Sequence, residues 1–135
     1  EDEQVLIAGY KGGTVEALNL RSGKRLFALG RQGAPVTDVT LSLAMAYGIA
    51  TSGNGHLSLF DANSGEEYIA FTAHTQPIIE VEVTQDGRYL TTRSANGQFR
   101  LWETSWKLGE RKQATSISWL PSAGALGKLG KLLGR

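Results

Sequence analysis

The sequence predicts an all-β protein made of repeated four-stranded antiparallel sheets. Three observations carry the prediction. First, Gly13, Gly55 and Gly97 stand 42 residues apart, and Ser22-Gly23, Pro35, Val39 and Tyr47 recur at the same interval as Ser64-Gly65, Pro77, Val81 and Tyr89, with no gap. Second, the segments between these markers are short and rich in β-branched residues, as strands are. Third, they are separated by Gly, Asn, Asp and Ser clusters of the kind that tight turns demand. No segment of residues 1–106 carries convincing helical periodicity.

The elements follow in order. Gly12-Gly13 reads as a hairpin turn, and Val15-Glu16-Ala17-Leu18-Asn19 as the strand after it. That strand aligns with Leu57-Ser58-Leu59-Phe60-Asp61 and with Phe99-Arg100-Leu101-Trp102-Glu103. Arg21-Ser22-Gly23 and Asn63-Ser64-Gly65 are the next turns. Val36, Val39 and Leu41 mark one strand, and Ile78, Val81 and Val83 its repeat. Glu80, Val81, Glu82 and Val83 alternate polar and apolar, as in a half-buried strand. Gln85-Asp86-Gly87-Arg88 supplies a turn, and Asn54-Gly55 and Asn96-Gly97 supply the strongest two-residue hairpin signals. Each 42-residue unit thus holds four strands and three turns, and a period of about 40–45 residues is that of a β-propeller blade. Residues 1–106 cover about two and a half such units, the first one partial. A closed propeller takes at least about four. The sequence therefore predicts an incomplete set, with bare sheet edges and apolar faces, that is not a free monomer.

The run Phe71-Thr72-Ala73-His74-Thr75-Gln76-Pro77-Ile78-Ile79 resembles the start of a WD40 repeat. Asp86-Gly87-Arg88-Tyr89-Leu90 and Ser94-Ala95-Asn96-Gly97-Gln98-Phe99-Arg100-Leu101-Trp102-Glu103 resemble its continuation, with Trp102-Glu103 in the place of the Trp-Asp pair and Phe60-Asp61 one unit earlier. The resemblance covers roughly residues 5–104. It implies a hydrogen-bonded tetrad of His74, Thr92, Asn96 and Trp102, with Asn in the place of the usual Asp and its charge-assisted bond. In the preceding unit the matching positions are Gln32, Ala50, Asn54 and Phe60, so that tetrad is lost and apolar packing must replace it.

The resemblance also implies a function: a non-catalytic protein–protein interaction scaffold, the terminal part of a larger propeller within a multi-protein assembly, in an intracellular, cytoplasmic setting. Loop positions at one rim, Gln32, Ala34, Ser52, Thr75, Gln76 and Arg93, are the candidate partner contacts, against the blander reading of each as a solvated loop residue. Two other functions stay open. The repeats could belong to a larger enzyme whose chemistry lies in another segment, or to a peripheral membrane or trafficking protein.

Composition narrows the chemistry. The 135 residues include no cysteine, which removes disulfides and thiol chemistry. No apolar run reaches the length of a membrane span. The chain opens Glu1-Asp2-Glu3-Gln4, without Met, which predicts processing or a longer parent chain. His74 fits a scaffold role, and His56 an exposed strand start. No third ligand stands at a metal-binding spacing from either. Glu66-Glu67 and Glu80/Glu82 are pairs by position only. Gly9-Tyr10-Lys11-Gly12-Gly13 and Gly127-Lys128-Leu129-Gly130-Lys131 both fail the phosphate-loop pattern. No cofactor, no catalytic residue and no nucleic-acid platform are expected.

Charge divides the chain in two. Residues 1–106 carry 8 basic and 12 acidic side chains, and residues 107–135 carry 6 basic and one acidic. The basic extension breaks the 42-residue register. Its alternation over residues 114–120 predicts a last strand, which Pro121 ends. In residues 122–135, Leu126, Leu129 and Leu133 form a short helical stripe beside Lys128 and Lys131, with Ser122 as its N-cap. Four glycines weaken that helix. The segment fits docking on its own protein or flexibility, partner binding, or membrane-surface contact.

Overall fold

A computed structural model of the chain describes residues 4–30, 33–106 and 114–119. Gln32, the end of the expected last strand at Leu120, and the whole stripe of Leu126, Lys128, Leu129, Lys131 and Leu133 lie outside them. The described residues hold strands and turns and no helix. The strands are β1 (Val5–Gly9), β2 (Val15–Asn19), β3 (Arg25–Leu29), β4 (Val36–Ser42), β5 (Tyr47–Ser52), β6 (His56–Asp61), β7 (Glu67–Thr72), β8 (Ile78–Val83), β9 (Tyr89–Ser94), β10 (Phe99–Trp106) and β11 (Ala114–Trp119).

They form three antiparallel sheets. The first has the order β1-β2-β3, the second β4-β5-β6-β7 and the third β8-β9-β10-β11. Every neighbour is the next strand in sequence, so each sheet is a meander that short turns can close. The strand expected over 114–120 is β11, which pairs antiparallel with β10 over 114–119.

The 42-residue period holds at the level of single hydrogen bonds. Gly53 donates its N–H to Pro35 O, and Ala95 donates to Pro77 O, at 2.9 and 2.8 Å. Ala62 donates to Ala46 O, and Thr104 to Arg88 O. Asn19 Oδ1 accepts from the N–H groups of Arg21 and Ser22, as Asp61 Oδ1 does from Asn63 and Ser64. Irregularities repeat as well. The ladder shifts between Ala17 and Leu18 and again between Leu59 and Phe60, then between Val36 and Asp38 and again between Ile78 and Glu80. Gly13, Gly55 and Gly97 take φ of 89°, 83° and 84°, the left-handed region their hairpins require.

The sheets pack face to face in chain order. One apolar layer lies between the first and second, built from Val15, Ala17, Phe27, Leu29, Ala50 and Phe60. A second lies between the second and third, with Tyr47, Ile49, Leu57, Leu59, Ile78, Val81, Leu90 and Trp102. Phe27 meets Phe60 edge-on at 6.1 Å, and Phe71 meets Trp102 at 5.1 Å. The middle sheet is covered on both faces, which is why β5 is buried from end to end. Polar bonds also join sheets two and three, among them Val81 N–H donating to Asp38 Oδ2 at 2.9 Å.

Candidate protein-interaction site

One end of the stack gathers the predicted loop positions. The link at residues 33–35 runs beside the hairpin tip at 53–55 through the Gly53–Pro35 bond. The same tip holds the next link, since Gly55 O accepts from Ala73 N–H and His74 N–H at 2.9 and 3.2 Å. The link then meets the following tip through Ala95 N–H and Pro77 O. Links and tips thus alternate along one rim. Thr75 and Gln76 are exposed on it, and Ala34 is half-buried. Arg93 is exposed at the end of β9 and pairs with Glu80 at 2.5 Å, opposite it in the ladder. Ser52 is a correction. It is fully buried, and its hydroxyl is spent on Asn54 Oδ1 within the hairpin, so it offers nothing to a partner.

Beneath the rim lies a buried polar chain. Trp102 Nε1–H donates to Thr92 Oγ1 at 3.0 Å, Thr92 Oγ1 meets His74 Nε2 at 2.6 Å, and His74 Nδ1 meets Gln98 Oε1 at 3.2 Å. All donors are satisfied when neutral His74 keeps its proton on Nδ1 and donates it to Gln98, and Thr92 donates to Nε2. Burial pushes the His74 pKa down; Gln98 opposes this, and the Arg100 charge adds to it. The balance holds its pKa below the ordinary His value, and both ring nitrogens are held by the scaffold.

Three of the four expected tetrad residues are brought together: His74, Thr92 and Trp102. Asn96 is a second correction. Its Oδ1 accepts from Ser94 Oγ and from Gln98 N–H, which caps the hairpin, and among the described residues no bond joins it to His74. An Asn-Gly tip uses its side chain locally because the αL turn places the amide over its own strand. Gln98, two residues on, takes the place beside the imidazole. Nothing in the sequence singled it out, for it aligns with Thr14 and His56 and looks like any exposed strand start.

No family model matches the chain, and no curated protein matches it. Solved structures do. One is the crystal structure of the computationally designed Ika8 protein. It superposes with a TM-score of 0.68 at 14% sequence identity, over 87% of this chain and 34% of that one. The chain spans about a third of the length of Ika8. At that identity the likeness is one of fold.

Two further contacts escaped the sequence reading. Tyr47 hydroxyl donates to Gly87 O at 2.6 Å, which ties the second sheet to a turn of the third, and burial pushes its pKa up. Asp61 holds the turn after β6. Burial raises its pKa, but the Tyr68 hydroxyl and the N–H groups of Ser64 and Asn63 outweigh that and hold it low. Among the described residues, no group of three or more His, Asp or Glu is placed to hold a metal ion, and no helix is long and apolar enough to cross a membrane.

Proposed function

We propose that the three sheets are successive blades of a larger WD40-like β-propeller and that the chain serves as a non-catalytic protein-interaction scaffold. The observation that carries the reading is the 42-residue recurrence of hydrogen bonds and ladder shifts from sheet to sheet, which makes them copies of one stacking unit. The His74–Thr92–Trp102 chain supports the family assignment, and the likeness to the designed structure is one of fold. Rigid sheets hold the rim still while its loop residues vary, the usual way a scaffold recognises protein. Thr75, Gln76 and Arg93 are the contact residues of this rim, with Ala34 at its margin.

The double variant Gln76→Ala, Arg93→Ala checks this by cross-linking and mass spectrometry in extracts. We expect recovery of specific partners to fall about tenfold, the effect of losing one hot-spot contact. Equal recovery with both proteins overturns the rim as the contact surface.

A further inference from the structure

The link between β7 and β8, residues 73–77, crosses the rim and carries Thr75 and Gln76. It is fastened at both ends. At one end Gly55 O accepts from the Ala73 and His74 N–H groups, and Arg100 Nη1 donates to Ala73 O. At the other, Pro77 O accepts from Ala95 N–H. Of residues 73–77 only Ala73 and His74 are buried, so the His74 ring is the polar anchor of the link in the interior.

That anchor is a one-way chain of hydrogen bonds. An indole N–H only donates, so Thr92 Oγ1 accepts from Trp102. The Thr92 proton then goes to His74 Nε2, and the ring's own proton sits on Nδ1, towards Gln98 Oε1. Nε2 must therefore be bare. A proton added there puts two hydrogens between the ring and Thr92, across 2.6 Å. Among the described residues the Thr92 hydroxyl has no second acceptor to turn to.

The surroundings offer no countercharge. The ring's partners, Thr92 and Gln98, are neutral. Arg100 of β10 is a cation beside it, and its charge opposes a second one. Thr92 stands opposite Val81 and Arg100 in the ladders, so Glu80, Glu82, Arg93 and Glu103 lie on the other face of the third sheet. In the second sheet, His56 of β6 meets Thr72 rather than His74. A buried imidazolium without a carboxylate favours a state in which the ring reaches water.

We propose that the 73–77 link is an acid-released part of the rim: a proton on His74 frees it, and Thr75 and Gln76 lose their fixed places. The switch stands on the geometry of the ring, and its effect on partners rests on the rim being the contact surface. Burial and the Arg100 charge, against Gln98, hold the closed form below the ordinary His value. The open form titrates near that value, about 6.5, so the hold on the link is complete above it and is lost as pH falls. The preceding unit supplies a control. Its matching position is Gln32, which does not titrate, and Pro35 O there accepts from Gly53 N–H as Pro77 O does from Ala95.

Amide hydrogen exchange of the full chain, corrected for intrinsic rates, tests the switch from about pH 7.5 to about pH 5. We expect opening at Ala73, His74 and Ala95 to rise with acid by up to about tenfold per pH unit, with Gly53 and the β5 amides flat. His74→Gln should flatten the rise. Gln98→Glu offers the imidazolium a carboxylate and should weaken the pH dependence with His74 still present. Flat exchange at Ala95, equal rises at Gly53 and Ala95, or the same rise in His74→Gln would each overturn the switch. Cross-linked partners should then be recovered less in acid by the native chain and not by His74→Gln; equal recovery by an opened link overturns the effect on partners. The Gln76 and Arg93 variant is read at neutral pH, so the rim reading and the switch fail separately.

Discussion

Thr92 carries more of the buried polar chain than its size suggests. Its hydroxyl accepts from Trp102 and meets His74, and it is fully buried. Thr92→Val keeps the shape and removes the hydroxyl that accepts from the indole N–H and meets His74 Nε2. Chemical denaturation should show a loss of about 2–4 kcal/mol, because two buried hydrogen bonds go with the hydroxyl. His74 sets a pH dependence. Its folded pKa lies below the ordinary His value of about 6.5, so the unfolded chain takes up a proton first as pH falls. The stability it contributes is complete above pH of about 6.5 and is lost as pH drops toward the folded value, at no more than about 1.4 kcal/mol per pH unit. Stability curves of the native chain and of His74→Gln should therefore converge with falling pH. Parallel curves would remove His74 as the titrating group.

At the scale of elements, identical sequence signals carry different loads. Gly55 and Gly97 close equivalent Asn-Gly hairpins with the same positive φ. A side chain on Gly97 would meet open space, whereas one on Gly55 would run into the His74 carbonyl. Gly97→Ala should cost about 1–2 kcal/mol, the strain of the left-handed backbone alone. Gly55→Ala should cost clearly more, since it also drives the 73–77 link off its hairpin. Thermal melts of the two variants check the difference. Asp38 is the second case. Its carboxylate accepts from Val39 and from Val81, one bond within β4 and one to β8. Asp38→Ala should destabilise by about 2–3 kcal/mol, and exchange at Val81 should rise more than at the third sheet's other amides. Uniform exchange would show that the inter-sheet bond contributes nothing of its own.

Stacking of whole sheets sets the molecular scale. Two apolar layers hold three sheets, and the first sheet turns Leu6, Leu18 and Leu26 away from them. Their counterparts one and two units on include Phe60 and Trp102, which are buried between sheets. An apolar face beside an open edge invites association. Sedimentation velocity should show the chain associating as concentration rises. The pair Leu6→Lys, Leu26→Lys should hold it monomeric, because charge on an edge face opposes pairing. A native chain that stays monomeric at high concentration would count against the face as sticky.

The all-β class, the 42-residue period, the hairpin glycines and the strand near the C-terminal end of the described residues were all legible in the sequence. Each is local: turn chemistry needs a particular φ at a particular residue, and alternation follows from the two faces of a strand. The grouping of His74, Thr92 and Trp102 was expected on other grounds, as what the resemblance to WD40 repeats implies. What faces what was not legible. The burial of Ser52, the withdrawal of Asn96 into its own turn, the seat of Gln98 beside His74 and the bond from Val81 to Asp38 depend on which peptide groups are already satisfied nearby. A polar side chain is decided by competition among neighbours brought close by packing, and no single strand contains that competition.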